Sequence, residues 1–278
     1  MHHMDMNASR AAPELIEPAL WRGAADKSTN QSVEKAISVL QAFSGGKPLR
    51  VGDVARATGI GQSTTSRLLA TLEQAGIVER DASSLFVLGP ELITLAGVAL
   101  NQNPVHRAGR QIAQNLAARL GLGVNIAVPN GNEIQYLCSF EGHLSPKSHT
   151  LTGQRVPIHA TSIGKSTLTQ TSADERRRLL PELVAYTAET ITEHHILDRE
   201  VAAIRRHGYS TEIEEFVLGR ASVAAPISDQ NGRIVAAVSL SGPRSTIDLE
   251  HRESQLGRLA IETADRISSG LGYHGPAV

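Results

Sequence analysis

The chain has 278 residues, more than one ordinary compact domain needs and enough for two. Hydrophobic residues make up 41% of it and aromatics only 3%, so its cores must be built from Leu, Ile, Val and Ala. A formal net charge of -1 and one cysteine, Cys138, exclude a uniformly basic nucleic-acid binder and an internal disulfide framework; any DNA-binding surface must be local, and a reducing cytoplasm is expected.

Residues 1–30 lack the apolar stretch of a signal peptide and read as a flexible arm, with Leu15, Ile16, Leu20 and Trp21 as docking material. No apolar run reaches the length of a membrane span. From Val33 to Phe43, the residues Val33, Ala36, Ile37, Leu40 and Phe43 recur at spacings of three and four, which predicts a helix capped by Ser32 and ended by Gly45-Gly46-Lys47-Pro48. A second helix is expected over Val51–Thr58 and, after Gly59, a third over Gln62–Ala75. Two apolar runs, Ile77–Arg80 and Leu85–Leu88, flank the polar Asp81-Ala82-Ser83-Ser84 and predict a β-hairpin. A connecting helix follows over Pro90–Gln102. Helices are then expected over Val105–Leu120, Ser162–Thr169, Glu193–His207 and Asp248–Ser268. Strands are expected over Val124–Val128, Ile134–Phe140, near His149–Leu151, and over Ser210–Glu214, Ala221–Ile227 and Ile234–Ser241. The resulting organisation is an arm (1–30), a unit of three helices and a hairpin (31–90), a connecting helix (91–104) and an α/β unit (105–272).

Val51–Leu72 carries the most specific signal. A helix-turn-helix needs a small residue where its helices touch, supplied by Ala55, and a residue tolerant of positive φ in the turn, supplied by Gly59. Ile60, Leu68 and Leu69 would lock the second helix onto the first. Its outer face then carries Gln62, Ser63, Ser66 and Arg67, with Thr64 and Thr65 alongside, side chains able to reach base edges and phosphates in the major groove. The hairpin would act as a wing, touching DNA through Arg80, Ser83 and Ser84, while Lys47 and Arg50 meet phosphates. Between Asn30 and Pro90, six basic and five acidic residues leave a balance of only +1, so such a reader would need dimerisation to double its contacts. A degenerate helix-turn-helix serving as a protein-interaction module is the alternative.

In the second half, Ser239 and Ser241 share one strand face, as do Arg220 and Ser222. Gly164 and the amides of Ser162 and Ile163 open a helix, an arrangement suited to a carboxylate or phosphate. Ser162-Ile163-Gly164-Lys165 also fits the S-x-x-K of serine acyl enzymes, but the companion K-T-G and S-D-N are absent. His194, His195 and Asp198 could suggest a metal, yet adjacent helical histidines diverge by about 100°. No catalytic residue, metal or cofactor is expected.

Ser32-Val33-Glu34-Lys35-Ala36, Gln62–Leu69, Glu79-Arg80, Val156–Lys165, Gly208-Tyr209, Ala224–Ile227 and Val238–Pro243 stand in order along the chain. Together they resemble the IclR family of bacterial regulators over about residues 31–272. The resemblance implies a winged helix-turn-helix, a linker helix and a C-terminal GAF-like α/β effector domain. It also implies a double-stranded DNA operator of palindromic form, a small effector that is often a carboxylate, control of a catabolic operon, and homodimers paired into tetramers. The effector residues it carries over are Ser162, Ile163, Gly164, Glu212, Ser222, Ser239 and Ser241, with Leu144 and Ile158 as apolar walls. The family often has Lys, Val and His where this chain has Gln62, Thr65 and Ser66, so no operator sequence is carried over. Arg220 stands where the family more often has an apolar residue; it would pair with an acidic effector or, alternatively, with Glu214 or Glu215.

Overall fold

The computed structural model describes residues 30–145 and 150–275. The arm with Trp21, and His149 of one expected strand, lie outside the described residues. The chain divides into two compact units, Met1–Ala99 and Leu100–Val278.

The first unit contains α1 (Gln31–Gln41), a 3-10 turn (Ala42–Gly45), α2 (Val51–Thr58), α3 (Gln62–Gln74), β1 (Val78–Arg80) and β2 (Phe86–Leu88). The cap of α1 is Asn30 rather than Ser32: the Asn30 side chain accepts the Ser32 N–H at 3.0 Å. The buried stripe also differs from the expected one. Val39 and Phe43 face the core, with Leu40 partly buried beside them, while Val33 and Ile37 are exposed. The three-and-four spacing of α1 supports two overlapping apolar faces, and the one that meets Val54, Leu69, Val78 and Phe86 wins. Gly59 ends α2 at φ 70°, a left-handed conformation that favours glycine and turns the chain directly into α3. β1 and β2 pair antiparallel, and Leu49 bridges to Phe86, tying the segment before α2 to the hairpin. The division between the units falls inside α4 (Glu91–Gln102).

The second unit follows with α5 (Pro104–Leu120), β3 (Gly123–Asn130), β4 (Glu133–Phe140), β5 (Arg155–Pro157), α6 (Ser162–Thr167), α7 (Ala173–Leu179), α8 (His194–His207), β6 (Ser210–Ile213), β7 (Arg220–Ser228), β8 (Ile234–Pro243), α9 (Arg244–Ile247) and α10 (Leu249–Gly270). The strands form one antiparallel six-stranded sheet in the order β5-β4-β3-β8-β7-β6. On one face, Ile126, Val223, Val238 and Leu240 pack with Leu116 of α5 and Leu256, Ala260 and Ile267 of α10. On the other, Ala127, Ala224 and Ala237 pack with Ile163 of α6 and Leu197 and Val201 of α8. Alanine at these three strand positions lets α6 approach the sheet closely.

Three features depart from expectation. Thr150 and Leu151 form no strand; the chain turns at Gly153, where backbone bonds to Tyr136 begin, and runs alongside β4 as β5 from Arg155. α7 was not anticipated, although Ser172 and Glu175 close a reciprocal capping box at its start. α9 is a single turn that re-aims the chain into α10.

Candidate functional site

In the first unit, α3 presents Gln62, Ser63, Thr64, Ser66 and Arg67 to solvent on its outer face. Thr65 does not join them. It is fully buried, and its hydroxyl donates to the Ile60 and Gly61 carbonyls, fastening the start of α3 to the preceding turn. Lys47 and Arg50 are exposed ahead of α2. The wing is a tight turn in which the Asp81 carboxylate accepts the Ser83 and Leu85 N–H groups at 2.8 and 3.0 Å, leaving Ser83 and Ser84 at the exposed tip. Arg80 is held rather than free: its guanidinium donates to Glu73 at 3.0 Å and to the Ser84 carbonyl at 3.3 Å, over the Phe86 ring.

In the second unit, strand register brings polar residues from five strands onto the sheet face that carries Ala224 and Ala237 against α6. Asn125 stands opposite Ser139 on β4 and Ser239 on β8. Ser241 stands opposite Ser222 on β7, and Ser222 opposite Glu212 on β6. Two hydrogen-bond chains result. In the first, Ser139 donates to Asn125 Oδ1 at 2.7 Å, and Asn125 Nδ2 donates to Ser239 at 3.3 Å and Ser241 at 3.1 Å. Both serines accept there, so each hydroxyl proton remains able to donate to a third group. In the second, ionised Glu212 accepts from Ser222 at 2.9 Å, and in that state the Ser162 hydroxyl, 2.7 Å from Ser222, is the donor to it. Glu212 Oε1 accepts the Glu215 and Phe216 N–H groups. Burial still pushes the Glu212 carboxyl up to about 7, against the stabilising Ser222 bond, with the Glu215 charge adding to the rise.

Arg220 is half-buried at the start of β7 and donates to Ser145 at 3.4 Å. The alternative pairing with Glu214 or Glu215 is not formed. Glu214 is taken by Arg244 at 2.6 Å and Glu215 by Lys165 at 2.5 Å. Burial lowers the Arg220 pKa, and nearby Tyr136, Glu212 and Glu141 oppose that fall.

The start of α6 differs from the open anion seat expected of it. The Thr161 hydroxyl caps the Gly164 N–H at 3.2 Å, so the helix consumes one of its own free donors. A Cβ on Gly164 would collide with the Ile158 backbone, which explains the glycine: it lets α6 press against the segment after β5. Ile158 and Ile163 are core residues on this face, whereas Leu144 is 48% exposed. Ser162 and Lys165 are each engaged elsewhere, Ser162 with Ser222 and Lys165 with Glu215 and, at 3.9 Å, Glu200. Asp198 is likewise occupied, by Arg176 and Arg177. Asn125 and Ser139 were not singled out from the sequence; a lone Asn within the apolar strand Val124–Val128 was the available signal.

A helix-turn-helix with a wing, on a chain whose other unit has a sheet lined with donors beneath a short helix, defines a ligand-responsive DNA-binding transcriptional regulator. The family model for the IclR helix-turn-helix domain matches residues 32–82, and that for the bacterial transcriptional regulator IclR C-terminal domain matches residues 97–269. The chain is 32% identical over 268 residues to the HTH-type transcriptional repressor AllR of Klebsiella pneumoniae, covering 95% of this chain and 96% of that protein, and 30% identical over 268 residues to AllR of Escherichia coli K12, with the same shares. Among solved structures, an IclR transcriptional regulator from Alicyclobacillus acidocaldarius superposes with a TM-score of 0.77 at 26% identity, over 88% of this chain and all of that one. An IclR homologue from Microbacterium hydrocarbonoxydans complexed with 4-hydroxybenzoate shares the fold with a TM-score of 0.76 at 23% identity, over 87% of this chain and 99% of that one. The chain belongs to the IclR family of bacterial transcriptional regulators.

Proposed function

We propose that this regulator is a repressor of a catabolic operon and that a small carboxylate, bound on the sheet face under α6, changes its grip on the operator. The carrying observation is the donor set on that face: Ser239 and Ser241 accept from Asn125 and keep their own protons to give, and half-buried Arg220 follows the same strand alternation as Ser222. Such a surface favours an anion with two or more acceptor oxygens. Ser162, Ile163, Gly164, Glu212 and Ser222 frame the site, and Ile158 supplies apolar wall. The repressor sense follows the AllR relatives, and the carboxylate accords with the 4-hydroxybenzoate held by a protein of the same fold.

The DNA contacts in this reading are Lys47, Arg50, Gln62, Ser63, Thr64, Ser66, Arg67, Ser83 and Ser84, with Arg80 bracing the wing. Residues 31–90 read, 91–104 link, and 105–272 sense and oligomerise. Homodimers, paired into tetramers, match a palindromic operator, and the exposed Ile93, Leu95 and Val98 of α4 offer the apolar contact. The protein is cytoplasmic and performs no catalysis, in line with engaged Ser162 and Lys165. A gel-shift titration on DNA upstream of its own gene, with competitor present, tests the reading. The expected result is a specific, salt-sensitive shift that Arg67→Ala weakens about tenfold or more. No specific shift, with or without small carboxylates, would favour the interaction module instead.

A further inference from the structure

Half of the positive charge in the nearly neutral reader converges on one groove. It runs between the start of α2, the start of α3 and the wing, and its walls include Arg50, Arg56, Gln62, Arg80 and Ser84. The three arginines are half of the six basic residues between Asn30 and Pro90. They differ in how tightly they are held. Arg80 is tied to Glu73 and the Ser84 carbonyl and stacked on Phe86. Arg50 is the capping residue of α2, its N–H given to the Asp53 carboxylate at 3.1 Å. Arg56 has Asp53 at 3.3 Å, but with 79% of its side chain exposed that pair contributes little and yields readily to a competing anion. Gly52, also in the groove wall, has open space where a side chain would stand. Gln62, the first residue of α3, places the groove at the reading end of that helix.

We propose that this groove seats one backbone phosphodiester of the duplex that α3 reads, with Arg56 as its principal cation and Arg80 as a fixed wall. The assignment rests on the reader binding DNA and adds a contact absent from the expected set. A phosphodiester suits the groove because it can replace the Asp53 carboxylate as the partner of Arg56 while accepting from Gln62 on the opposite wall.

The test is fluorescence anisotropy of the full-length protein on a random-sequence duplex of about 30 base pairs, titrated between about 50 and about 200 mM salt. Loss of one phosphate contact lowers the magnitude of the log–log salt slope by about 0.9 per protomer, so Arg56→Ala is expected to show that drop and Arg56→Lys to restore most of it. An Arg56→Ala slope equal to the wild type overturns the proposal alone, and a wild type that binds no duplex overturns it together with the reader.

Discussion

Glu212 shows at the scale of one residue how the site is poised. Its carboxylate accepts three hydrogen bonds that favour the charged form, yet burial outweighs them and lifts its pKa from 4.5 to about 7. The folded state therefore holds a proton that the unfolded chain releases between those values. Stability from this group is full below pH 4.5, falls as pH rises, and is lost above about 7, a swing of order 3 kcal/mol. Glu212→Gln removes the titration. Urea unfolding is expected to show the variant gaining on the wild type as pH rises from about 5 to about 8; a constant difference across that range would refute the buried, proton-holding carboxyl. Ser222, Ser239 and Ser241 could be singled out because two-residue alternation puts strand residues on a common face once the strands are recognised, whereas Glu212 came only from the family resemblance. Asn125 could not be, since its role depends on β3 lying between β4 and β8, a pairing that local sequence does not encode. Thr65 misled for a related reason: on an outer-face pattern it reads as a DNA contact, and only the preceding turn supplies the carbonyls that draw it inward.

At the scale of the element, α6 carries the sharpest energetic commitment. Lys165 is almost wholly buried and pairs with Glu215, whose second carboxylate oxygen is buried with no hydrogen-bond partner among the described residues. Removing the lysine strands that carboxylate. Lys165→Met is expected to cost about 3–5 kcal/mol of unfolding free energy, and adding Glu215→Leu to recover most of it, because a buried pair is worth little over apolar packing while a broken one is costly. Equal losses in the single and double variants would show that the pair itself is not what matters. The long helices α5, α8 and α10 were legible from their three-and-four patterns, with Gly121 and Gly208 closing α5 and α8. The short elements were not. β5 has only three residues and exists because Gly153 turns the chain back onto β4, and α9 is one turn between β8 and α10.

At the scale of the whole molecule, the near-neutral charge shapes how the protein can work. A reader with a balance of +1 gains little from non-specific attraction, so its affinity must come from concentrated contacts, which the proposed pairing of two copies would double. α4 would serve that pairing: it has no fully buried residue, and it exposes Ile93, Leu95 and Val98. Sequence order alone was enough for the two-unit plan, because matches to one family run through both halves. The effector itself was not legible, since its identity depends on the space left between side chains rather than on which side chains are present.

The most direct test of the account is a thermal-shift screen of small aliphatic and aromatic carboxylates, followed by operator affinity with and without the best hit, for wild type and Ser239→Ala/Arg220→Ala. A carboxylate is expected to stabilise the wild type and change its operator affinity by about 5- to 150-fold, with both effects lost in the double variant while ligand-free DNA binding persists. A carboxylate that stabilises the double variant equally and shifts its operator binding by the same factor would contradict it.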